Sequence, residues 1–563
     1  MRDALKSYGW GKKANVGMAR RPVPREAWPH RATAPIPFAW VLQAAATSIT
    51  SGEFHGKLLE RSKILEAPCR IQVETNLQSP ENLQPLFAAV QDALAMRLVA
   101  FVVPDQALSL SIENEGKDNQ IIASVEHLFQ RLNAGGTVPS SEEMAYSMIK
   151  AYWPEVEEPI RELKDRRMPE ARLFMLSVRI AAGVRIKPNP DFTKIDEQLP
   201  NSLSVDAVRR IALQGKGEGH AKSIYDFFTA STPDTLKPVL DQVGEWLESR
   251  PDRDRYGLPP ELHSSIANRS PEVYLLLMWL SRRWCLQQLD GLNNSMRRHV
   301  LALATSLHWF RPVDSALATR LIVKELDRRL QTGSDLFRGL LSTIADQDQN
   351  QAGILLPLTP QKLRESIGTL PNQKQLEAWR WWRIARDAQE APTEENRFVV
   401  AMKDSRELLM YAQREYVLGF NFDPAHASSE QHDRPWDYDH ILPYSKVKGK
   451  WNPTRPGLLE WVNCIANLRV WPMEENRSDQ ATSPKQKMLC PETGILDQKA
   501  LKDSFLEDSE LNAFDLGCLH PFEEAGALAF LNAASERLIR IYSEWHNTLD
   551  VAFLSDRNAP FQP

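Results

Sequence analysis

The chain has 563 residues, 42% of them hydrophobic, and a formal net charge of −5. That length predicts about three or four domains with real cores. The acidic balance excludes a protein that coats nucleic acid over its whole surface, though it leaves room for a local basic groove.

The N-terminus is basic through Arg2, Lys6, Lys12, Lys13, Arg20, Arg21, Arg25 and Arg31, and no secretory apolar segment opens it. Gly9-Trp-Gly11-Lys12-Lys13 lacks the spacing of a phosphate-cradling loop. A strand rich in Val and Phe is expected over Arg97 to Pro104. Next comes a helix from Val125 to Asn133, a Gly135-Gly136 turn, and a new helix opened by Ser140 with Glu143 as its capping-box partner. Arg131 and Asn133 are candidates for positioning a ligand, with a role at the helix C-terminus as the equal alternative. The Pro-rich Lys187-Pro-Asn-Pro190 closes a first region, 1–190.

Residues 191–390 read as helical, with apolar residues at helical spacing over Ser204 to Gln214, Pro238 to Glu248, Pro271 to Gln288, Val313 to Gln331 and Gln373 to Gln389. Val273 to Leu280 is the most apolar run, far short of the roughly twenty residues that span a bilayer. No membrane partner is therefore expected, and the expected compartment is the cytoplasm. Ser281-Arg282-Arg283 reads as a solvated helix edge. Trp379, Trp382 and Arg386 recur at helical spacing, so a Trp-bearing core face is favoured over a base-stacking surface. No internal repeat is evident.

The third region, 391–563, opens with an amphipathic helix from Phe398 to Tyr416. Tyr438 to Tyr444 can form a short strand ending in a turn, Asn467 to Trp471 a second strand closed by Pro472, and Met473 to Ser478 the start of a helix carrying Asn476. A long amphipathic helix or helix pair is expected over Ala525 to Leu554. The expected fold class is thus mainly α with small α+β parts. Five cysteines, at 69, 285, 464, 490 and 518, form no CxxC pair, which suits a reducing compartment, and Cys490, Cys518 and His520 read as buried groups rather than zinc ligands.

Chemistry concentrates in Asp437-Tyr-Asp439-His440-Ile-Leu-Pro443 and in the two asparagines downstream of it. Hydrolysing a phosphodiester needs a base for the attacking water and a cation for the developing charge. His440, with an ordinary pKa near neutrality, suits the base. Asp439 and Asn476 offer hard oxygen donors suited to Mg²⁺ or Mn²⁺. Strand, strand and helix around one ion is the ββα-metal arrangement. Within it Asn467 is expected to tie the intervening loop to the strand by side-chain hydrogen bonds, with Asn463 as a competitor for that role. Lys446, Lys448, Lys450, Arg455, Arg477 and Lys485 are the candidate nucleic-acid contacts.

This stretch, together with Leu408-Leu-Met-Tyr-Ala-Gln413-Arg414-Glu-Tyr416 and Gly419-Phe-Asn-Phe422, resembles the C-terminal HNH domain of GmrSD-type, modification-dependent restriction endonucleases. Phe129-Gln-Arg131-Leu-Asn133-Ala-Gly135-Gly136 is similar to a segment of the ParB-like N-terminal domain of the same family. The resemblance implies a partial ParB-like domain over 1–190, a helical region over 191–390 and an HNH endonuclease domain over 391–563. It also implies that Asp439 and Asn476 are metal ligands, His440 the general base and Asn467 the middle Asn.

The implied activity is Mg²⁺-dependent cutting of double-stranded DNA, modified DNA included, in bacterial anti-phage defence, by a homodimer or with a partner subunit. The Asp-Gly-Gln-Gln-Arg motif that usually opens the ParB-like domain, and that is associated with nucleotide hydrolysis, does not occur in this sequence. An NTPase activity therefore does not follow from the resemblance, and nucleotide is left open as a cofactor. The rival expectation is a non-catalytic or partner-dependent DNA-binding subunit.

Overall fold

A computed structural model describes, in the main, residues 49–62, 81–95, 140–183, 205–286, 292–347, 351–372, 394–418, 436–447, 459–472, 482–516 and 524–558, with short breaks inside some of these ranges. The chain divides into two compact units, Met1–Leu110 with Gln431–Asp433, and Ser111–Glu430 with Arg434–Pro563. In the first, helices α1 (Ser51–Ser62) and α2 (Gln84–Ala95) meet through Phe54 and Phe87, whose ring centroids lie 5.6 Å apart.

The second unit is mostly helical. Helix α3 (Ser141–Tyr152) opens with a capping box: Ser140 Oγ accepts the Glu143 N–H, and the Glu143 carboxylate accepts the Ser140 N–H. Those reciprocal bonds satisfy backbone donors that a helix start otherwise leaves unpaired. The unit continues through α4 (Pro260–Arg269), α5 (Pro271–Leu286), α6 (Asn294–Trp309), α7 (Glu394–Asp404) and α8 (Arg406–Ala412). Strands β1 (Trp436–His440) and β2 (Leu468–Pro472) follow, then α9 (Pro484–Lys487), α10 (Asp508–Leu516) and α11 (Glu524–Thr548). Among the described residues, no helix is long and apolar enough to cross a membrane.

The apolar run Val273–Leu280 is buried on every side of α5, as a helix at the centre of a helical core must be. Its continuation departs from the expected solvated edge. Ser281 and Arg282 are buried, with Arg282 donating to the Ile180 carbonyl at 2.9 Å and lying over the Phe227 ring, and Arg283 pairs with Asp327 at 2.7 Å. The helix expected over Phe398 to Tyr416 is interrupted at Ser405, whose hydroxyl caps the Leu408 N–H and starts α8 afresh.

Residues of the expected middle and C-terminal regions share one core. On α11 the buried Phe530, Ala534, Leu538, Ile541, Tyr542 and Trp545 recur at helical spacing. Trp545 Nε1 donates to Thr305 Oγ1 on α6 at 3.0 Å, and the Trp545 ring lies 5.5 Å from that of Phe310, which packs at 4.5 Å on Phe398 of α7. The small sheet leans on this core, and it is through that contact that the fold positions the candidate site.

Candidate functional site

β1 and β2 are antiparallel, pairing Tyr438 with Val470, Asp439 with Arg469 and His440 with Leu468. The first strand begins earlier and ends sooner than its sequence suggests. After His440 the ladder gains one more bond, Ile441 N–H to the Asn467 carbonyl at 2.8 Å. A side chain then takes over: Asn467 Oδ1 accepts the Leu442 N–H at 2.8 Å, and Nδ2 donates to the carbonyls of Leu442 and Val462, both at 2.9 Å. Asn467 is 0% exposed, so these bonds hold the loop to the strand without help from water.

Two long side chains support this loop from the helical core. Arg537 of α11, fully buried, donates to the carbonyls of Ile465, Ala466 and Leu468 at 2.7 Å each, and to Ser504 at 2.9 Å. Burial pushes its pKa down to about 9, which leaves it a cation at neutral pH. Gln413, just past α8, accepts the Val470 N–H at 2.7 Å and donates to the Asp503 carbonyl at 2.8 Å, covering the outer edge of β2.

His440 Nε2 lies 3.2 Å from Asn463 Oδ1, and the Asn463 amide nitrogen donates to the Leu459 carbonyl at 2.9 Å. The second bond orients the amide so that its oxygen faces the imidazole. Nε2 therefore carries the proton and Nδ1 the lone pair. Burial lowers the His440 pKa, helped by the charges of Lys487 and Arg406 and opposed by Asn463 and Asp439. The neutral imidazole, the form a base requires, is thereby favoured near neutrality.

Asp439, the neighbouring residue, is differently placed. Arg469 Nε donates to its Oδ2 at 2.9 Å, Lys487 Nζ donates to its Oδ1 at 2.6 Å, and all three side chains are at most 3% exposed. Lys487 also donates to the His440 carbonyl at 2.8 Å, and the Arg469 guanidinium stacks 3.6 Å over the Trp471 ring. Both oxygens of the Asp439 carboxylate are thus taken by cations, which compete with a divalent ion for the same lone pairs. Asp439 in this arrangement does not fit the role of Mg²⁺ ligand. Among the described residues no three His, Cys, Asp or Glu side chains converge on a common point for a metal ion.

Asn476 lies outside the described residues, as do Lys448, Lys450, Arg455, Arg477, Arg131 and Asn133, and also Trp379, Trp382 and the segment Met473 to Ser478. Lys446 is half-buried in the short turn of helix Tyr444–Val447, and Lys485 is exposed in α9.

Sequence reasoning missed Arg406, Arg469, Lys487 and Arg537. Arg406, exposed at the start of α8, has its guanidinium 5.2 Å over the Tyr438 ring, and Tyr438 OH donates to the Arg406 carbonyl at 3.2 Å. Tyr438 and His440, two residues apart on β1, share one face of the strand. Arg406 thus sets an exposed cation on the His440 side of the sheet. For Arg469 a signal existed, because strand register opposes it to Asp439. For the other three, only helix packing brings them to the site. Comparison of the chain with family models, with curated proteins and with solved structures returned no match.

Proposed function

We propose that this chain is an HNH-type phosphodiester hydrolase acting on double-stranded DNA, modified DNA included, in the manner of the GmrSD-type restriction endonucleases that its sequence resembles. One observation carries the reading: a half-buried imidazole at the end of a strand, its Nε2 committed to Asn463, with the following loop clamped by Asn467. That constellation holds a base in one tautomer on a rigid support.

In this mechanism His440 Nδ1 takes a proton from water as the water oxygen attacks phosphorus, the P–O3′ bond breaks in line with the attack, and the leaving 3′-oxygen takes a proton from a second, solvent water. Arg406 meets a non-bridging phosphate oxygen, and Lys446 and Lys485 contact flanking phosphates. Asn463 positions the imidazole and Asn467 the loop that carries it. Because the donors around Asp439 do not fit a divalent ion, no step is routed through one.

A second reading, a DNA-binding subunit that needs a partner to cut, is favoured by the occupied carboxylate of Asp439. Supercoiled plasmid and modified phage DNA, incubated with the purified chain and with His440→Ala, separate the two. Nicking that His440→Ala abolishes while DNA binding persists supports the hydrolase. Undiminished cutting by His440→Ala sinks the assignment, and binding without any cutting supports the subunit.

A further inference from the structure

The carboxylate expected to hold a metal is instead enclosed. Asp439 Oδ1 and the His440 carbonyl oxygen both accept from Lys487 Nζ, at 2.6 and 2.8 Å, while Arg469 takes Oδ2 at 2.9 Å. The Lys487 side chain is 1% exposed, so its ammonium has exchanged water for these protein oxygens. Two hard oxygens converging on one buried cation form the kind of pocket that a divalent ion would otherwise claim.

We propose that the Lys487 ammonium is the resident cation of this site, seated between Asp439 and the His440 carbonyl, and that Asp439 holds that ammonium instead of a metal ion. The proposal rests on the HNH-type reading, since it is by comparison with a one-metal phosphodiesterase that the position has meaning.

Three features keep Lys487 there. Its helix, α9, starts with a capping box between Ser483 and Gln486, and the Lys487 N–H bonds the Ser483 carbonyl at 3.0 Å, so the backbone at its base is fixed. The next residue, Met488, is fully buried and its sulfur lies 3.5 Å from Arg469 Nη1, which ties the same turn to β2. Finally, Asp439 stands directly across the sheet from Arg469, so an ion replacing Lys487 would still face a second fixed cation. Lys487 acts on the reaction through others: it neutralises Asp439 and pins the main chain of His440, which makes it a positioning residue.

The test reads metal binding by the full chain, so that a protein that cuts no DNA still decides it. Mn²⁺ is titrated into wild type, Asp439→Asn and Lys487→Met, and bound ion is followed by electron paramagnetic resonance. The expected result is that wild type and Asp439→Asn take up Mn²⁺ alike, whereas Lys487→Met gains roughly tenfold in affinity, a gain that adding Asp439→Asn removes. A wild-type chain that binds Mn²⁺ and loses roughly tenfold in affinity on Asp439→Asn overturns the proposal. Should circular dichroism show a variant unfolded, wild type labelled with ¹⁵N-histidine decides alone: His440 signals left sharp by Mn²⁺ uphold Lys487 as the resident cation, and broadened signals overturn it.

Discussion

The sharpest check on the site is a pair of substitutions at Asn467. Asn467→Ala removes three hydrogen bonds, leaving the Leu442 N–H and the carbonyls of Leu442 and Val462 unpaired in a place with no access to water. At about 1 kcal/mol net for each neutral bond, the loss should be about 2–4 kcal/mol.

Asn467→Asp differs by one atom and should cost more at neutral pH. It keeps an acceptor for the Leu442 N–H but turns a carboxylate oxygen toward two carbonyl oxygens, with burial adding to the repulsion. The introduced acid then has a folded pKa raised above its unfolded value of about 3.9, so the folded state binds the extra proton. Stability of this variant relative to wild type should rise as pH falls from neutrality toward that raised pKa. Urea unfolding followed by tryptophan fluorescence, at about pH 7 and again at about pH 5, measures both differences. An Asp variant as stable as the Ala variant at neutral pH, or one whose deficit grows on acidification, would refute the hydrogen-bond assignment.

Other outcomes follow from the same geometry. Arg537→Met removes one donor from each of four backbone carbonyls, of which that of Ile465 keeps the Leu468 N–H, and should cost about 3–5 kcal/mol, read from the urea midpoint; a loss below about 1 kcal/mol would mean that the loop does not depend on it. Arg406→Gln should leave the unfolding midpoint unchanged while lowering the slope of log affinity for DNA against log salt by about one, as measured by fluorescence anisotropy.

The buried contacts of Glu407 predict a pH effect. Burial pushes its pKa up, but His308 Nε2 at 2.5 Å, Ser265 Oγ at 2.5 Å and the Arg269 charge outweigh burial and leave it below the ordinary value. A depressed acid stabilises the fold above its unfolded pKa of about 4.3, and that contribution is lost as pH falls through the folded value. The stability gap between wild type and Glu407→Gln should therefore narrow as pH is lowered from about 5 toward 3, and a gap that widens would contradict the ion-pair origin of the shift.

Local chemistry was legible along the chain wherever neighbours in sequence are also neighbours in space. Ser140 and Glu143 make their capping box because both partners lie within one helical turn. The apolar residues of α11 became core because helical spacing places them on one side whatever they pack against, and the unbroken apolar run of α5 because a helix apolar all round must be enclosed. The two strands were readable from β-favouring residues but their ends were not: expected over Tyr438 to Tyr444 and Asn467 to Trp471, they run over Trp436–His440 and Leu468–Pro472. Ser281-Arg282-Arg283 misled because charge alone says nothing of carbonyls and carboxylates offered by other helices.

By itself the sequence determined the helical character of the described chain, the pairing-prone strands and the residue types His, Asp and Asn placed around their ends. Tertiary structure alone decided what those residues do. Lys487 reaches Asp439 because α9 packs beside β1, Arg406 lies over Tyr438 because α8 docks on the sheet, and Arg537 carries the loop because α11 runs beneath it. Whether a carboxylate meets a metal ion or an ammonium depends on the charges around it. Here those charges sit on elements far apart in the chain, and only burial holds them within a few ångströms of one another.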